Sequence, residues 1–326
     1  MVELAERIMT ELAEEVMNGY RIKRGDDLSI FLSADLTELC EGANKIREHY
    51  HGNKADLCAI INGRSGKCSE DCKFCAQSGH HKTGIAEYDF LDEDIILEDC
   101  KKHEEEGVHR YSIVTAGRAL KGRELARAIS AYRKMKERCS IGLCASHGLL
   151  TEEDYIALKE AGVTRYHENI ETSRRNFRNI CTTHTYEDKI YCIRLAKKAG
   201  LEVCSGGIIG MGENWEDRLD MAVSLSELEV DSIPINALMP IKGTPLEDLP
   251  SVPAEDILRT IAIFRYINPE ADIRLAAGRA IMENSGEKAF LSGANATITG
   301  NMLTTSGNNI QQDIAMLKNL GFDLST

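Results

Sequence analysis

The stretch LCAIINGRSGKCSEDCKFCAQSG, residues 57–79, sets a short apolar run directly before three cysteines, Cys68, Cys72 and Cys75. Residues 57–62 read as a buried strand, and the glycine-punctuated segment after them reads as a loop. Runs of the same kind recur at 110–116, 140–146, 164–170, 202–208, 232–238, 272–278 and 295–300. Helical candidates such as 124–137 and 186–200 separate most of them. Strands in βα alternation predict a parallel sheet. Their number favours an α/β fold closed into a (β/α)8 TIM-type barrel over an open doubly wound sheet. No G-x-G-x-x-G follows the first strand, which counts against a dinucleotide fold.

Outward from this core, residues 4–17 place Leu4, Ile8, Leu12 and Val16 at helical spacing before Gly19, and 33–52 read as a second helix. With only six prolines and no Gly/Ser linker, the chain reads as one barrel over 55–306. A helical extension precedes it at 1–54, and a helix at 307–326 closes it.

A formal charge of −13 over 326 residues argues against a nucleic-acid surface, which calls for a basic stripe. The opening MVELAERIMT lacks the basic-then-apolar pattern of a signal peptide, and no window approaches 18 apolar residues. The expectation is a cytoplasmic protein. Eleven cysteines in a reducing compartment point to metal or redox chemistry rather than disulfides. Cys40, Cys100, Cys181 and Cys192 read as ordinary small hydrophobes.

The C-x3-C-x2-C run follows the first strand, so it belongs to the mouth of the barrel, where such folds keep their chemistry. Three thiolates fall short of the four ligands of a structural zinc site. They suit a [4Fe–4S] cluster whose fourth iron stays open. The competing reading is a zinc knuckle completed by His80 or His81.

Parallel barrel strands are expected to be apolar throughout. Here Cys58, Cys144, Cys204 and Arg274 interrupt the first, third, fifth and seventh. Alternate strands contribute the layers inside a barrel, so these four side chains can share one. A second iron–sulfur cluster would satisfy them; the alternative is isolated buried thiols and an arginine paired with an acid.

Phe74 just before the last loop cysteine resembles the signature of the radical S-adenosylmethionine superfamily. Six segments, at 61–78, 179–189, 203–213, 232–246, 273–279 and 293–305, together resemble one family within it, the biotin synthases. The resemblance implies radical-mediated sulfur insertion into dethiobiotin by a homodimer. The radical is a 5′-deoxyadenosyl species, the sulfide comes from an auxiliary cluster, and a reduced flavodoxin or ferredoxin supplies the electron. Its usual auxiliary [2Fe–2S] cluster has three cysteines and an arginine. Cys144, Cys204 and Arg274 align with three of these, but Ser112 stands where the remaining cysteine belongs. Cys58 is the expected replacement, and a four-iron type is the alternative cluster.

The same resemblance assigns Phe74, Thr115, Ala116, Gly117, Glu171, Gly206, Ile208, Gly210 and Glu213 to S-adenosylmethionine. Glu171 stands in place of an aspartate that binds the ribose. Asn169, Asn236, Thr304 and Thr305 are assigned to dethiobiotin. His167 and Glu168 depart from the family's Asn-His pair, which keeps a hydrogenase-maturase or methylornithine-synthase type of activity in view. A non-catalytic iron–sulfur scaffold is the reading from a different class.

Overall fold

The structure is a computed structural model describing residues 2–301, 303 and 307–325. Parallel strands β1 (Asp56–Arg64), β2 (Arg110–Thr115), β3 (Gly142–Ser146) and β4 (Val163–His167) follow one another in the sheet. After them come β5 (Glu202–Cys204), β6 (Gly207–Ile209), β7 (Ser232–Ala237), β8 (Asp272–Leu275) and β9 (Ala296–Ile298). β9 pairs with β1, and β7 pairs with both β5 and β6, so the barrel closes.

The run expected as one strand at 202–208 is therefore two short strands sharing one barrel position. The break falls at Ser205 and Gly206. A Cβ on Gly206 would lie 2.0 Å from the Pro234 carbonyl oxygen, an approach that only glycine permits.

The strand row that faces the helices is apolar: Leu57, Ala59, Tyr111, Ile113, Ala145, Tyr166, Val203, Ile233, Ile235, Ile273 and Leu275 are all buried. Helices α4 (Glu93–Glu105), α5 (Gly122–Arg138), α6 (Glu152–Glu160), α7 (Arg174–Ile180) and α8 (Tyr186–Lys198) surround the first half of the barrel. α9 (Trp215–Glu227) and α10 (Ala254–Ile267) surround the second. Capping boxes start three of these helices, Thr151 with Asp154, Thr185 with Asp188 and Asn214 with Asp217, each satisfying backbone donors at both of its ends.

Of the N-terminal helices, α3 (Leu36–His51) packs against α10 and carries α1 (Val2–Met17), while the short α2 (Ile30–Ser33) sets Phe31 against Tyr266 of α10. Tyr266 on α10 donates its hydroxyl to the Met9 carbonyl at 2.9 Å. A helix at Ile310–Asn319 follows the last strand. Among the described residues no helix is long and apolar enough to cross a membrane.

Candidate functional site

The cysteine loop leaves the C-terminal end of β1 and folds on itself. The Cys75 N–H donates to the Cys72 carbonyl at 3.0 Å, and the Gly79 N–H donates to the Cys68 carbonyl at 2.8 Å. The loop is pinned to the segment after α7. The Asp71 carboxylate accepts from the Thr182 N–H at 2.8 Å and the Thr183 N–H at 3.2 Å, while the Lys73 N–H donates to the Ile180 carbonyl at 3.0 Å.

His80 Nε2 meets the Ser69 carbonyl at 3.0 Å, and His81 Nε2 meets the Cys72 carbonyl at 3.1 Å. Both imidazoles are thus engaged with backbone and not with thiols. Neither completes a zinc knuckle.

Among the described residues, only Cys72, Cys181 and His184 bring three ligand atoms within 4.8 Å of one another. The loop cysteines do not, and neither do Cys58, Cys144 and Cys204. A single zinc ion needs sulfurs roughly 3.8 Å apart, whereas thiolates on different irons of a cluster stand farther from one another. Burial pushes the Cys75 thiol up to about 11 and raises that of Cys68. The hydrogen bond with Cys181, reinforced by burial, raises Cys72. Such thiols ionise only beside a compensating positive charge, which a metal supplies.

A cavity of about 270 Å³ runs from this loop into the barrel. Phe74 stands at its mouth, in an apolar cluster with Ile180, Met211 and Leu238. Deeper in, the wall carries Cys58, Ser112, Cys144, Cys204 and Arg274, so the strand residues expected to share a layer do share one chamber. Ser112 pairs in register with Cys144, and Cys58 with Arg110.

Arg110, Arg165 and His167 line the same chamber, although the sequence reading gives them no place in a cluster site. The signal was present: each is a polar residue at the two-residue period of the inward row, inside a run otherwise fit for a strand.

Electrostatics organise this chamber. Arg274 Nη2 donates to Asp56 Oδ1 at 2.6 Å, and its Nη1 donates to the Thr297 carbonyl at 2.9 Å. Arg110 Nε reaches Asp56 Oδ2 at 3.1 Å, and Arg165 Nε reaches Glu202 Oε2 at 2.9 Å. The pairing of Arg274 with an acid is thus real, yet Arg274 still lines the cavity.

A hydrogen bond with Cys58, together with the guanidiniums of Arg110 and Arg165, draws the Cys144 thiol down to about 6 despite its burial. Cys58, the other partner in that bond, is raised. Burial opposes ionisation of Cys204. His167, with Nδ1 at 3.3 Å from the sulfur, outweighs it jointly with Arg274 and Arg165, and lowers the thiol. The chamber tolerates buried thiolates because fixed cations surround them.

The residues assigned to small molecules divide into two groups. Phe74, Asn169, Ile208 and Asn236 line the cavity. Asn169 Oδ1 accepts from the Gly206 N–H at 3.0 Å. Asn236 donates to the Gly207 carbonyl at 3.1 Å and accepts from the Ala277 N–H at 3.1 Å. Backbone bonds therefore fix the orientation of both amides, and each retains donor and acceptor capacity.

Glu171 is held at φ +67, and its Oε2 is buried without a hydrogen-bond partner. Burial raises its carboxyl. A strained, unsatisfied acid at the barrel mouth fits a polyhydroxy ligand.

The second group is tied to protein. Thr115 Oγ1 bonds His147 Nδ1 at 3.0 Å, and Ala116 is buried. Gly117 sits at φ +121 against the Arg64 side chain. Gly210, at φ +94, has its N–H bonded at 2.7 Å by the Glu213 carboxylate, which also accepts from Arg218 Nε at 2.9 Å. Gly206 marks the break between β5 and β6. Thr304 and Thr305 lie outside the described residues.

Comparison with known proteins bears on this geometry. Residues 64–225 match the family model for the radical SAM superfamily, and 234–323 match that of the Biotin and Thiamin Synthesis associated domain. The chain is 66% identical over 316 residues to biotin synthase of Clostridium beijerinckii, covering 97% of this chain and 100% of that one. It is 49% identical to biotin synthase of Akkermansia muciniphila, with 97% and 98% covered.

Among solved structures, methylornithine synthase superposes with a TM-score of 0.82 at 22% identity, covering 97% of each chain. A maturase of the [FeFe]-hydrogenase gives 0.83 at 17%, covering 100% of this chain and 78% of that one. At these identities the two likenesses show a shared fold alone. Full-length identity, both family models and a cysteine loop opening on a thiol-lined chamber agree: the chain belongs to the biotin synthase family of the radical SAM superfamily.

Proposed function

We propose that this protein is a radical S-adenosylmethionine sulfurtransferase that converts dethiobiotin to biotin. The observation that carries this reading is the 66% identity to a biotin synthase across 97% of the chain. When bound, a [4Fe–4S] cluster on Cys68, Cys72 and Cys75 supplies the electron that cleaves S-adenosylmethionine to a 5′-deoxyadenosyl radical, and an auxiliary cluster supplies the sulfur.

The chain's own residues do the rest. The loop orients its three thiols through the backbone bonds around Cys72 and Cys75. Phe74 and its apolar neighbours exclude water from the mouth. In our assignment Glu171 accepts from the ribose hydroxyls, while Gly206, Ile208, Gly210 and Glu213 shape the strand end that receives the adenine. Thr115, Ala116 and Gly117 receive the methionyl part. Asn169 and Asn236 hydrogen-bond the ureido ring, and Thr304 and Thr305 the carboxylate of dethiobiotin.

For the auxiliary cluster we assign Cys58, Cys144, Cys204 and Arg274, with Cys58 replacing the cysteine that Ser112 lacks. Support comes from their common chamber and from the cations that hold Cys144 and Cys204 toward the thiolate form. The type of that cluster is [2Fe–2S] or four-iron. The working protein is a cytoplasmic homodimer reduced by a flavodoxin or ferredoxin. The eleven free thiols suit that reducing compartment.

The test is an anaerobic assay of the reconstituted protein with dethiobiotin, S-adenosylmethionine and a low-potential reductant. Biotin and 5′-deoxyadenosine are the expected products. A scaffold protein forms neither, and an enzyme with another substrate forms 5′-deoxyadenosine without biotin.

A further inference from the structure

The segment after α7 places a thiol and an imidazole directly behind the cysteine loop. Cys181 and His184 are buried, at 3% and 7% exposure, and with Cys72 they bring two sulfurs and a ring nitrogen within 4.8 Å of one another. Cys181 Sγ stands 3.3 Å from His184 Nδ1. That separation is near the ~3.5 Å edge of a tetrahedral site with metal–sulfur and metal–nitrogen bonds of about 2.3 and 2.0 Å.

Glu70 Oε2 lies 2.6 Å from the same nitrogen but outside the trio of ligand atoms mutually within 4.8 Å, so its carboxylate reaches a fourth position only after its side chain shifts. His184 Nε2 is buried without a hydrogen-bond partner, and the ring packs steeply against Phe177, with centroids 5.6 Å apart. The imidazole is thus anchored through polar groups of this cluster alone. Cys181 is packed in the hydrophobic core as an ordinary buried thiol would be, yet its sulfur touches Asp71 Oδ1 at 3.2 Å as well as the imidazole.

From this geometry we propose a second, mononuclear metal site on Cys72, Cys181, His184 and Glu70, taking a borderline-soft divalent cation, Zn²⁺ or Fe²⁺. Two thiolates and an imidazole are the donor set such ions prefer, and binding releases the thiol protons. Cys72 is shared with the radical cluster, a statement that rests on the assignment above. The two metals therefore exclude each other: the single ion occupies the cluster-free chain and must leave before the cluster is built.

The experiment uses the full chain, freed of iron and reduced under anaerobic conditions, with Co²⁺ as the spectroscopic probe. One equivalent is expected to give thiolate-to-cobalt charge transfer and the visible bands of a tetrahedral ion. Cys181→Ala and His184→Ala are expected to weaken binding by at least the ~10–100-fold that loss of even an outer-shell partner costs. Cys181→Ser, which keeps the size of the side chain, guards against a packing effect.

One equivalent of Zn²⁺ is further expected to slow rebuilding of the [4Fe–4S] cluster in the wild type but not in Cys181→Ala, whose zinc-free rebuilding matches the wild type. Unchanged cobalt spectra and affinity in all three variants would overturn the site. Cobalt bound through Cys181 with no effect of zinc on rebuilding would overturn the sharing of Cys72. A wild-type chain that binds cobalt as expected but never builds a cluster supports the site and refutes the cluster assignment instead.

Discussion

His167 Nδ1 stands 3.3 Å from Cys204 Sγ, and the two residues face each other in register across β4 and β5. The imidazole and the thiol shift each other: burial opposes the charged form of both, yet each holds its neighbour toward ionisation. His167→Ala removes that support and raises the Cys204 thiol. In cluster-free protein near neutral pH, alkylation of Cys204 is expected to slow about two- to tenfold, the equivalent of one lost hydrogen bond. Mass-spectrometric alkylation rates measure it, and a rate equal to the wild type would show that His167 has no hold on the sulfur.

Asp56 joins Arg274 and Arg110 at the base of the chamber. Burial pushes its carboxyl up, but the two guanidiniums outweigh it and hold the group at about 2. The folded value lies below the unfolded one. The contribution is therefore present in full above about pH 4, and it fades as pH falls toward 2, amounting to about 2 kcal/mol. Asp56→Asn is expected to cost about 3 kcal/mol at neutral pH, because it leaves Arg274 short of its partner in the interior. Urea unfolding between pH 2 and pH 7 measures both effects, and the variant should show a flatter acid limb.

Cys58→Ala is expected to abolish the inner cluster and spare the outer one. Iron should fall to about four atoms per chain, with the Mössbauer signature of a single [4Fe–4S] species remaining. Adding Ser112→Cys to that variant restores a thiol on the neighbouring strand, directly in register with Cys144, and should recover the lost iron. Full iron content in Cys58→Ala alone would return the fourth position to another ligand.

Glu171 is buried with an unbonded oxygen and a left-handed backbone. If that oxygen receives the ribose hydroxyls, Glu171→Ala weakens S-adenosylmethionine binding by roughly 10- to 100-fold, as expected for charge-assisted bonds of about 1.5–3 kcal/mol. Cluster content should not change. Equilibrium dialysis with cluster-loaded protein separates this from a folding defect, and undiminished affinity would move the ribose elsewhere.

The barrel, the loop and the four strand residues are legible in the sequence because each is a local pattern: short apolar runs alternating with helices, C-x3-C-x2-C, and a polar side chain breaking an apolar run. Gly206 is not legible as a strand break, because its meaning depends on the Pro234 carbonyl pressing on it from another strand. Arg110 and Arg165 escaped for a related reason. A charged residue on the inward row has no evident place in the core until Asp56, Glu202 and Asp272, distant in the chain, are seen to neutralise it. Cys181 became more than a hydrophobe only when the fold placed it beside Cys72 and His184.

The three guanidiniums of the chamber have a thermodynamic corollary. Asp56, Glu202 and Asp272 already balance these cations, so a group held only by the folded chamber would add its binding free energy to folding stability. If Cys58, Cys144, Cys204 and Arg274 hold a cluster as proposed, the melting temperature becomes a gauge of its occupancy, falling as the cluster is lost.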